Sequence, residues 1–270
     1  TGSQSTSFGW LGEKLRGVQG LYSLQDLHLM QENTRTISRA VVVGGGLIGI
    51  EAAEMLHSRG IPVTFLVREN RYWGNVLPRE ESTLIERHIR EHHIDLRLHT
   101  SLDSILPGSD NRVRAIRTSS GEEIPADFVL LATGVRPNIS LAQTSGIKCA
   151  RGIQVNQYFE TSMPSVYAIG DCAEMLFDDD SSLIEPLWYA GRSHGETLAR
   201  TILGQRTAYK PGVFFNSAKF FDLEYQTYGI VRNELHPGQK TLCWHHPDGT
   251  KLIRLVYIEK AVTGFNLLGV

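Results

Sequence analysis

Residues 40–49 read AVVVGGGLIG, an unbroken apolar run followed at once by three glycines. A short apolar run of this kind is typical of a strand buried on both faces of a parallel sheet. The glycines have the spacing Gly44-x-Gly46-x-x-Gly49, and residues 47–58 continue with helical periodicity. The stretch therefore predicts a strand, a tight turn and a helix, which together begin a βαβ unit.

The alternation of strand-like and helix-like patterns continues along the chain. The patterns predict strands over 62–67, 94–98 and 128–132, a helix over 79–92, and a small antiparallel excursion over 102–124. This alternation is typical of an α/β fold with an open, Rossmann-like parallel sheet and helices on both faces.

The segments on either side of this sheet have a different character. Residues 1–20 are rich in Gly and Ser and predict a connecting segment, with a helix over 21–32. After the sheet, the patterns predict a strand over 165–169 and a helix over 187–203. The remaining chain predicts a region rich in strands, at 213–221, 225–231, 241–246, 252–258 and 262–268.

The composition of the chain bears on which binding partners and which cellular compartment we expect. The formal net charge is −2 and no basic stripe is present, so neither nucleic acid nor an anionic membrane is an expected partner. The cysteines lie far apart, at Cys149, Cys172 and Cys243, which favours a reducing, cytoplasmic setting over a disulfide framework. We expect no membrane span and no secretion signal. Because the first residue is Thr, we expect a processed chain or a piece of a longer one.

The glycine motif, Gly44–Gly49, has the spacing needed to bind a pyridine dinucleotide. Gly44 permits the tight turn, Gly46 lets the backbone approach a pyrophosphate, and Gly49 lets the helix lie close against the strand. The N–H groups near Gly46, Leu47 and Ile48, at the positive end of the helix dipole, then hold the phosphates. The alternative is a glycine-rich turn that binds nothing.

The end of the second strand bears on which dinucleotide binds. The position that usually carries an acidic residue is Val67, and Arg68 and Glu69 follow it. Arg68 and Arg71 favour NADP, because a guanidinium pairs with a ribose 2′-phosphate, whereas Glu69 leaves NAD open. The alternative is that both arginines are solvated loop residues.

Two further motifs, LATGVRPN at 131–138 and VYAIGDCA at 166–173, complete a pattern with the glycine motif. On these three motifs the chain resembles the pyridine nucleotide-disulfide oxidoreductases, and among them the members without a redox disulfide, such as NADH-dependent ferredoxin, rubredoxin and nitrite reductases and NADH oxidases. The resemblance implies FAD and NAD(P)H as cofactors. It also implies hydride transfer from NAD(P)H to the flavin and onward electron transfer to a second acceptor, which is a small iron–sulfur protein of the ferredoxin type, rubredoxin or oxygen. The sequence leaves open which acceptor is used and whether the chain forms a homodimer.

The resemblance implies roles for residues of the nucleotide-binding part. Glu51 lies toward the nicotinamide end of the dinucleotide. Thr133 and Gly134 close the nucleotide-binding domain, where the chain crosses back to the flavin domain. Because the flavin carries the chemistry, no catalytic acid or base is named.

The resemblance also implies roles for residues of the flavin-binding part. Gly170 and Asp171 meet the ribityl and phosphate region of FAD, and Leu187 and Trp188, at the start of a helix, face the isoalloxazine ring. For Asp171 the alternative is a helix N-cap.

The resemblance further implies four segments: a linker over 1–35, an NAD(P)-binding domain over 36–136, a returning segment of the FAD domain over 137–205, and an α+β, strand-rich C-terminal domain over 206–270. For the last, both a complete and an incomplete domain stay open. Full-length members begin with a flavin-binding half that carries its own glycine motif, and no such motif precedes Gly44. We therefore expect the isolated chain to bind NAD(P)H without retaining FAD. The alternative function is a non-enzymatic dinucleotide-binding module or sensor.

Other clusters are assigned no chemistry. His88 and His92 have the i, i+4 spacing of a metal-binding pair, but no third ligand is evident, so we predict a surface helix and no metal site. Cys243 and His245 are predicted to share one face of a hairpin strand. The acidic residues 178–180 predict a solvated loop.

Overall fold

The structure, a computed structural model, describes residues 2–177 and 179–270, so the expectations that fall on Thr1 and Asp178 lie outside the described residues. The chain divides into two compact units. The smaller comprises the residues up to Thr6 together with Val135–Gly212, and the larger comprises Ser7–Gly134 and Val213–Val270.

The regular elements are numbered in chain order. The strands in the described part of the chain are β1 (Ser3–Ser5), β2 (Val18–Gln19), β3 (Ala40–Val43), β4 (Val63–Leu66), β5 (Asp95–Arg97), β6 (Leu102–Pro107), β7 (Val113–Thr118), β8 (Glu123–Pro125), β9 (Phe128–Leu131), β10 (Val135–Pro137), β11 (Ile153–Val155), β12 (Ala173–Leu176), β13 (Ser182–Leu183), β14 (Phe215–Phe220), β15 (Leu223–Gly229), β16 (Gln239–His245), β17 (Leu252–Ile258) and β18 (Ala261–Leu268). The helices are α1 (Leu24–Asn33), α2 (Leu47–His57), α3 (Arg79–Glu91), α4 (Ser140–Thr144) and α5 (Trp188–Ile202).

The centre of the larger unit is a parallel sheet with the strand order β2-β9-β3-β4-β5. Successive residues of β3 alternate between two hydrophobic clusters, because side chains point to opposite faces along a strand. Val42 joins the cluster that contains Ile50 of α2 and Ile85 of α3. The predicted Rossmann-like α/β fold is confirmed.

The second face of this sheet is covered differently from the prediction. Val41 and Val129 pack with Ile105 and Ile116, which belong to the antiparallel sheet β6-β7-β8. The expectation of helices on both faces is therefore wrong, because the predicted antiparallel excursion supplies the apolar surface that a helix would otherwise provide.

The C-terminal strands form an antiparallel sheet with the order β14-β15-β18-β17-β16. The sequence predicted a separate domain over 206–270; in the structure, Phe220 and Leu252 of this sheet belong to the same hydrophobic cluster as α2 and α3. Tyr72 and Phe220 meet edge to face at 5.9 Å. The strand-rich C-terminal region thus folds as part of the larger unit.

The smaller unit contains the pair β1-β10, the sheet β11-β12-β13, and helices α4 and α5. The strand predicted over 165–169 does not form, and only Tyr167 makes a bridge, to Glu160. The backbone at Ser165 has a φ of 61°, and the carbonyl of Val166 accepts hydrogen bonds from both the N–H and the hydroxyl of Thr161. These local bonds hold the segment as a loop.

Among the described residues, no helix combines the length and apolar character required to cross a membrane.

Candidate functional site

Two glycines of the glycine motif are required by packing. Gly44 has a φ of +113°, and a Cβ there would overlap the carbonyl oxygen of Ala132, which follows the adjacent strand β9. A Cβ at Gly49 would overlap the Gly44 carbonyl oxygen and would lie 3.1 Å from the Phe65 ring. The tight turn and the close helix packing expected of this spacing are thus present.

Gly46 lies in open space instead. It is the N-cap residue of α2, with a φ of −79°, and no side chain caps the helix there. A Cβ at Gly46 would meet no protein atom within 4 Å, and the residue is exposed. Leu47 and Ile48, which follow it, are half-buried. The first turn of α2 therefore presents its positive end to a space into which an anion fits.

The predicted specificity residues at the end of β4 differ in exposure. Val67 is buried, and a Cβ at Gly45 would lie 3.0 Å from one of its methyl groups. Arg68 has 77% of its side chain exposed and pairs with Glu69 at 3.1 Å. Arg71 donates a hydrogen bond of 3.4 Å to the Gly74 carbonyl. The two residues expected to favour different dinucleotides, Arg68 and Glu69, thus form an ion pair with each other.

Glu51 lies on α2, one turn beyond the open end of the helix. Burial raises the pKa of its carboxyl, and the neighbouring Glu54 carboxylate raises it further. Burial, followed by the charge of Glu51, raises the pKa of Tyr72. The Tyr72 hydroxyl is buried and has no hydrogen-bond partner in the described part of the chain.

The segment Ala132-Thr133-Gly134 lies beside the glycine motif. The N–H of Ala132 donates to the carbonyl of Val43 at 2.8 Å, and a Cβ at Gly44 would lie 3.1 Å from the backbone nitrogen of Thr133. Gly134 is exposed and is the last residue of this stretch of the larger unit. The fold thus brings together two motifs that are far apart in the sequence, because β3 and β9 are neighbours in the parallel sheet.

In the smaller unit, residues Gly170–Cys172 form a single 3₁₀ turn, here called the Gly-Asp turn. Gly170 has a φ of +70°. The Asp171 carboxylate accepts a hydrogen bond of 3.0 Å from the Ser3 hydroxyl. The N-cap position of the turn is occupied by Ile169, so the alternative that Asp171 is a helix N-cap is wrong.

A buried polar network supports the Gly-Asp turn. His194, which is 3% exposed, accepts a hydrogen bond at Nδ1 from the Gly170 N–H at 3.1 Å. Its Nε2 lies 3.3 Å from a Glu185 carboxylate oxygen, which also accepts a hydrogen bond of 3.0 Å from the Tyr209 hydroxyl. The hydrogen bond from His194, opposed by burial and assisted by Tyr209, lowers the pKa of Glu185.

Sequence reasoning did not identify the members of this network or Ser3. His194 follows Gly170 by 24 positions and Ser3 precedes Asp171 by 168, so no short spacing connects them to the turn. A local signal was available in the i, i+4 spacing of Ala190, His194 and Leu198, which places them on one face of α5, and that face is buried in the structure.

The N-terminus of α5 is also open. Leu187 is the N-cap residue and provides no side-chain hydrogen bond. Trp188, the first helical residue, is 79% exposed. An exposed indole at the start of a helix is a flat apolar surface available for stacking.

The histidine pair has a neighbour that the sequence did not reveal, while the expectation of no metal site stays a prediction. Asp222, between β14 and β15, lies against His88 and His92, so this pair does have a third candidate ligand. In contrast, Cys243 and His245 lie on one face as predicted, with Sγ and Nε2 3.3 Å apart.

Comparisons with known proteins agree with the three motifs. The family described as pyridine nucleotide-disulphide oxidoreductase matches residues 1–195. The chain is 31% identical over 208 residues to a rubredoxin-NAD(+) reductase of Acinetobacter baylyi, covering 76% of this chain and 52% of that protein. It is also 31% identical over 224 residues to a ferredoxin–NAD(P)(+) reductase of a Sphingomonas species, covering 82% of this chain and 53% of that protein.

Solved structures show the same fold. A ferredoxin reductase from Rhodopseudomonas palustris superposes with a TM-score of 0.88 at 22% identity, covering all of this chain and 65% of that one. An NAD-dependent persulfide reductase from A. fulgidus superposes with a TM-score of 0.86 at 26% identity, covering all of this chain and 52% of that one. The chain spans about half the length of the curated relatives described above. With the three motifs in order on this shared fold, the chain belongs to the pyridine nucleotide-disulphide oxidoreductase family.

Proposed function

We propose that this chain is the NAD(P)H-binding and flavin-contacting part of a FAD-dependent oxidoreductase. NAD(P)H would donate a hydride, and the electrons would pass to an acceptor protein of the ferredoxin or rubredoxin type. The observation that carries the proposal is the open, uncapped N-terminus of α2 at Gly46, next to two glycines that admit no side chain. This combination leaves room for a pyrophosphate where the helix dipole favours negative charge.

The residues of the larger unit would bind and orient the dinucleotide. The backbone N–H groups of Gly46, Leu47 and Ile48 would donate to the phosphate oxygens, because the first turn of a helix has no internal acceptors for them. Glu51 would lie toward the nicotinamide end, and Thr133 and Gly134 would border the bound dinucleotide.

The residues of the smaller unit would contact FAD. An ionised carboxylate has about four acceptor sites, so Asp171 can accept a ribityl hydroxyl in addition to the Ser3 hydroxyl. Gly170 would border the phosphates, and Leu187 and Trp188 would contact the ring system. When bound, the flavin supplies the hydride-accepting chemistry, so the protein needs no acid or base of its own.

The acceptor, assembly and compartment are part of the same proposal. Several relatives are named as rubredoxin or ferredoxin reductases, which supports a small electron-carrier protein as the acceptor. A homodimer is proposed on the family resemblance alone and is testable by sedimentation. The three cysteines are free thiols in the structure, which supports a reducing, cytoplasmic setting. No finding favours the sensor alternative.

Calorimetric titration of NADH and NADPH tests the proposal directly. Gly46→Val should abolish the binding of both, because the new side chain would occupy the space of the pyrophosphate. Gly212→Val is a matched control, since a Cβ added at Gly212 would also meet no protein atom within 4 Å, and the φ of Gly212 is one that other residues adopt. If Gly46→Val binds either dinucleotide as tightly as the parent, the assignment of the phosphate site is wrong.

A further inference from the structure

A cluster of two histidines and one aspartate lies on the larger unit. His88 is in the last turn of α3, His92 follows the end of that helix, and Asp222 lies between β14 and β15. The Nε2 atoms of the two histidines lie 2.7 Å and 3.2 Å from the same oxygen, Asp222 Oδ1. One ligand atom from each residue thus lies within 4.8 Å of the other two.

The Nδ1 atom of His92 has a hydrogen-bond acceptor beside it. Its Nδ1 lies 3.0 Å from the backbone carbonyl oxygen of His88. A carbonyl oxygen only accepts, so this Nδ1 carries the hydrogen. In the neutral ring Nε2 then has a lone pair, and that lone pair faces a carboxylate oxygen. Two acceptors in contact repel each other unless a cation lies between them.

A single metal ion can satisfy all three ligand atoms at once. Without an ion, a neutral His88 can donate from Nε2 to Asp222 Oδ1, whereas His92, whose Nδ1 already carries a hydrogen, needs a second proton on its ring to donate to the same oxygen. One divalent ion would accept both Nε2 lone pairs and the carboxylate together. A tetrahedral zinc ion with bonds of about 2.0 to 2.1 Å separates its ligand atoms by roughly 3.3 Å. The His92–Asp222 contact of 3.2 Å matches this separation, and the His88–Asp222 contact of 2.7 Å is shorter and would lengthen when an ion binds.

The surrounding residues already hold the rings in place. The His92 ring stacks on Phe221 with centroids 4.3 Å apart and an interplanar angle of 18°. The Nδ1 of His88 faces a Glu91 carboxylate oxygen at 3.9 Å. The acceptor behind His92, the His88 carbonyl oxygen, matches the usual arrangement around metal-binding histidines, in which such a partner orients the ring and fixes which nitrogen binds.

We propose that His88, His92 and Asp222 bind a divalent transition-metal ion of the Zn²⁺ class. Two imidazoles and one carboxylate match the ligand preference of zinc and its neighbours, whereas calcium and magnesium prefer an all-oxygen set. The three residues leave at least one coordination position for water. Because Asp222 belongs to the C-terminal sheet and both histidines to the α3 segment, the ion would fasten these elements together.

The test uses the chain without any histidine tag, titrated with ZnCl₂ by calorimetry and with CoCl₂ by visible absorption. We expect one ion per chain, and a loss of affinity of at least about tenfold in His88→Ala, His92→Ala and Asp222→Asn, since removing a ligand costs at least as much as removing a residue behind one. Zn²⁺ should raise the melting temperature of the parent but not of these variants. Asp222→Asn keeps shape at an exposed position, so its result does not depend on misfolding.

Two controls make the result decisive. His28→Ala removes an exposed histidine from helix α1 and should leave zinc affinity unchanged. Cys243→Ser removes the thiol beside His245, another contact between two side chains that can bind metal, and should also have no effect. The proposal is wrong if the parent binds no zinc, if Asp222→Asn binds it as tightly as the parent, or if Cys243→Ser abolishes binding.

Discussion

The glycine motif of the larger unit and the Gly-Asp turn of the smaller one are both tight turns, but different kinds of contact hold them in place. Each contains a glycine with a positive φ, at Gly44 and Gly170. The glycine motif is held by backbone packing within a few consecutive residues and the neighbouring strand β9. The Gly-Asp turn is held by hydrogen bonds from side chains far away in the sequence, at Ser3 and His194.

This difference determines how each region should respond to change. A turn held by close backbone contacts is sensitive to added volume and insensitive to pH. A turn held by a histidine, a carboxylate and a tyrosine is sensitive to the loss of a partner and to protonation. Four substitutions test the contrast.

Gly44→Ala should have the largest effect. The added Cβ would overlap the Ala132 carbonyl oxygen, at a φ of +113° that side chains rarely adopt. Backbone strain and overpacking together should lower the free energy of unfolding of the larger unit by about 3 to 5 kcal/mol. Urea denaturation measures this loss. Gly46→Ala, in open space, should cost less than about 1 kcal/mol, and an equal cost at both positions would contradict steric control of the turn.

His194→Leu should have the second-largest effect on stability. The substitution removes the acceptor of the Gly170 N–H and one partner of the Glu185 carboxylate, and both of these groups are partly buried. We expect the smaller unit to lose about 2 to 3 kcal/mol of stability, the cost of leaving buried polar groups unpaired. Urea denaturation, followed by limited proteolysis of the smaller unit, measures it. As a control, Arg192→Gln breaks an exposed ion pair with Glu196 on α5 and should leave the midpoint almost unchanged.

Stability measured at several pH values should distinguish the Gly-Asp turn from the glycine motif further. Because the pKa of Glu185 is lowered in the folded state, chiefly by the hydrogen bond from His194, the ionised carboxylate contributes stability above its unfolded value, near 4.5. That contribution is lost as pH falls through the lower, folded pKa. The parent should therefore lose more stability than Glu185→Gln between about pH 6 and pH 3. Parallel losses in the two proteins, measured as urea midpoints, would show that Glu185 is not involved.

Arg68→Ala should have the smallest effect, confined to cofactor choice. Its ion pair with Glu69 is exposed and therefore weak, so a ribose 2′-phosphate can replace the carboxylate. We expect NADPH to bind the parent at least as well as NADH, and the substitution to lower the NADPH-to-NADH affinity ratio by about tenfold. Arg39→Ala is the control. Arg39 comes just before β3, and because β3 and β4 are parallel, it lies at the edge of the sheet opposite to Arg68, which follows β4. An unchanged ratio in Arg68→Ala would show that Arg68 has no part in discrimination.

The sequence by itself determined the features that depend on local periodicity. The apolar run of β3, the glycine spacing after it and the alternation of the C-terminal strands predicted a parallel sheet, an open helix N-terminus and a strand-rich region. These predictions succeed because the side-chain period fixes which face of an element is apolar, and because a glycine at a tight turn has few substitutes.

Only the tertiary structure decided which elements cover those faces and which polar groups meet. The second face of the parallel sheet is covered by the antiparallel sheet rather than by helices, since an apolar face does not specify its partner. In the same way, the position of a polar residue in the sequence does not specify which polar group it meets. His88 and Asp222 are 134 positions apart, and His194 reaches Gly170 only because α5 packs beside the Gly-Asp turn. Contacts at such separations depend on the folded path of the chain, which no local spacing encodes.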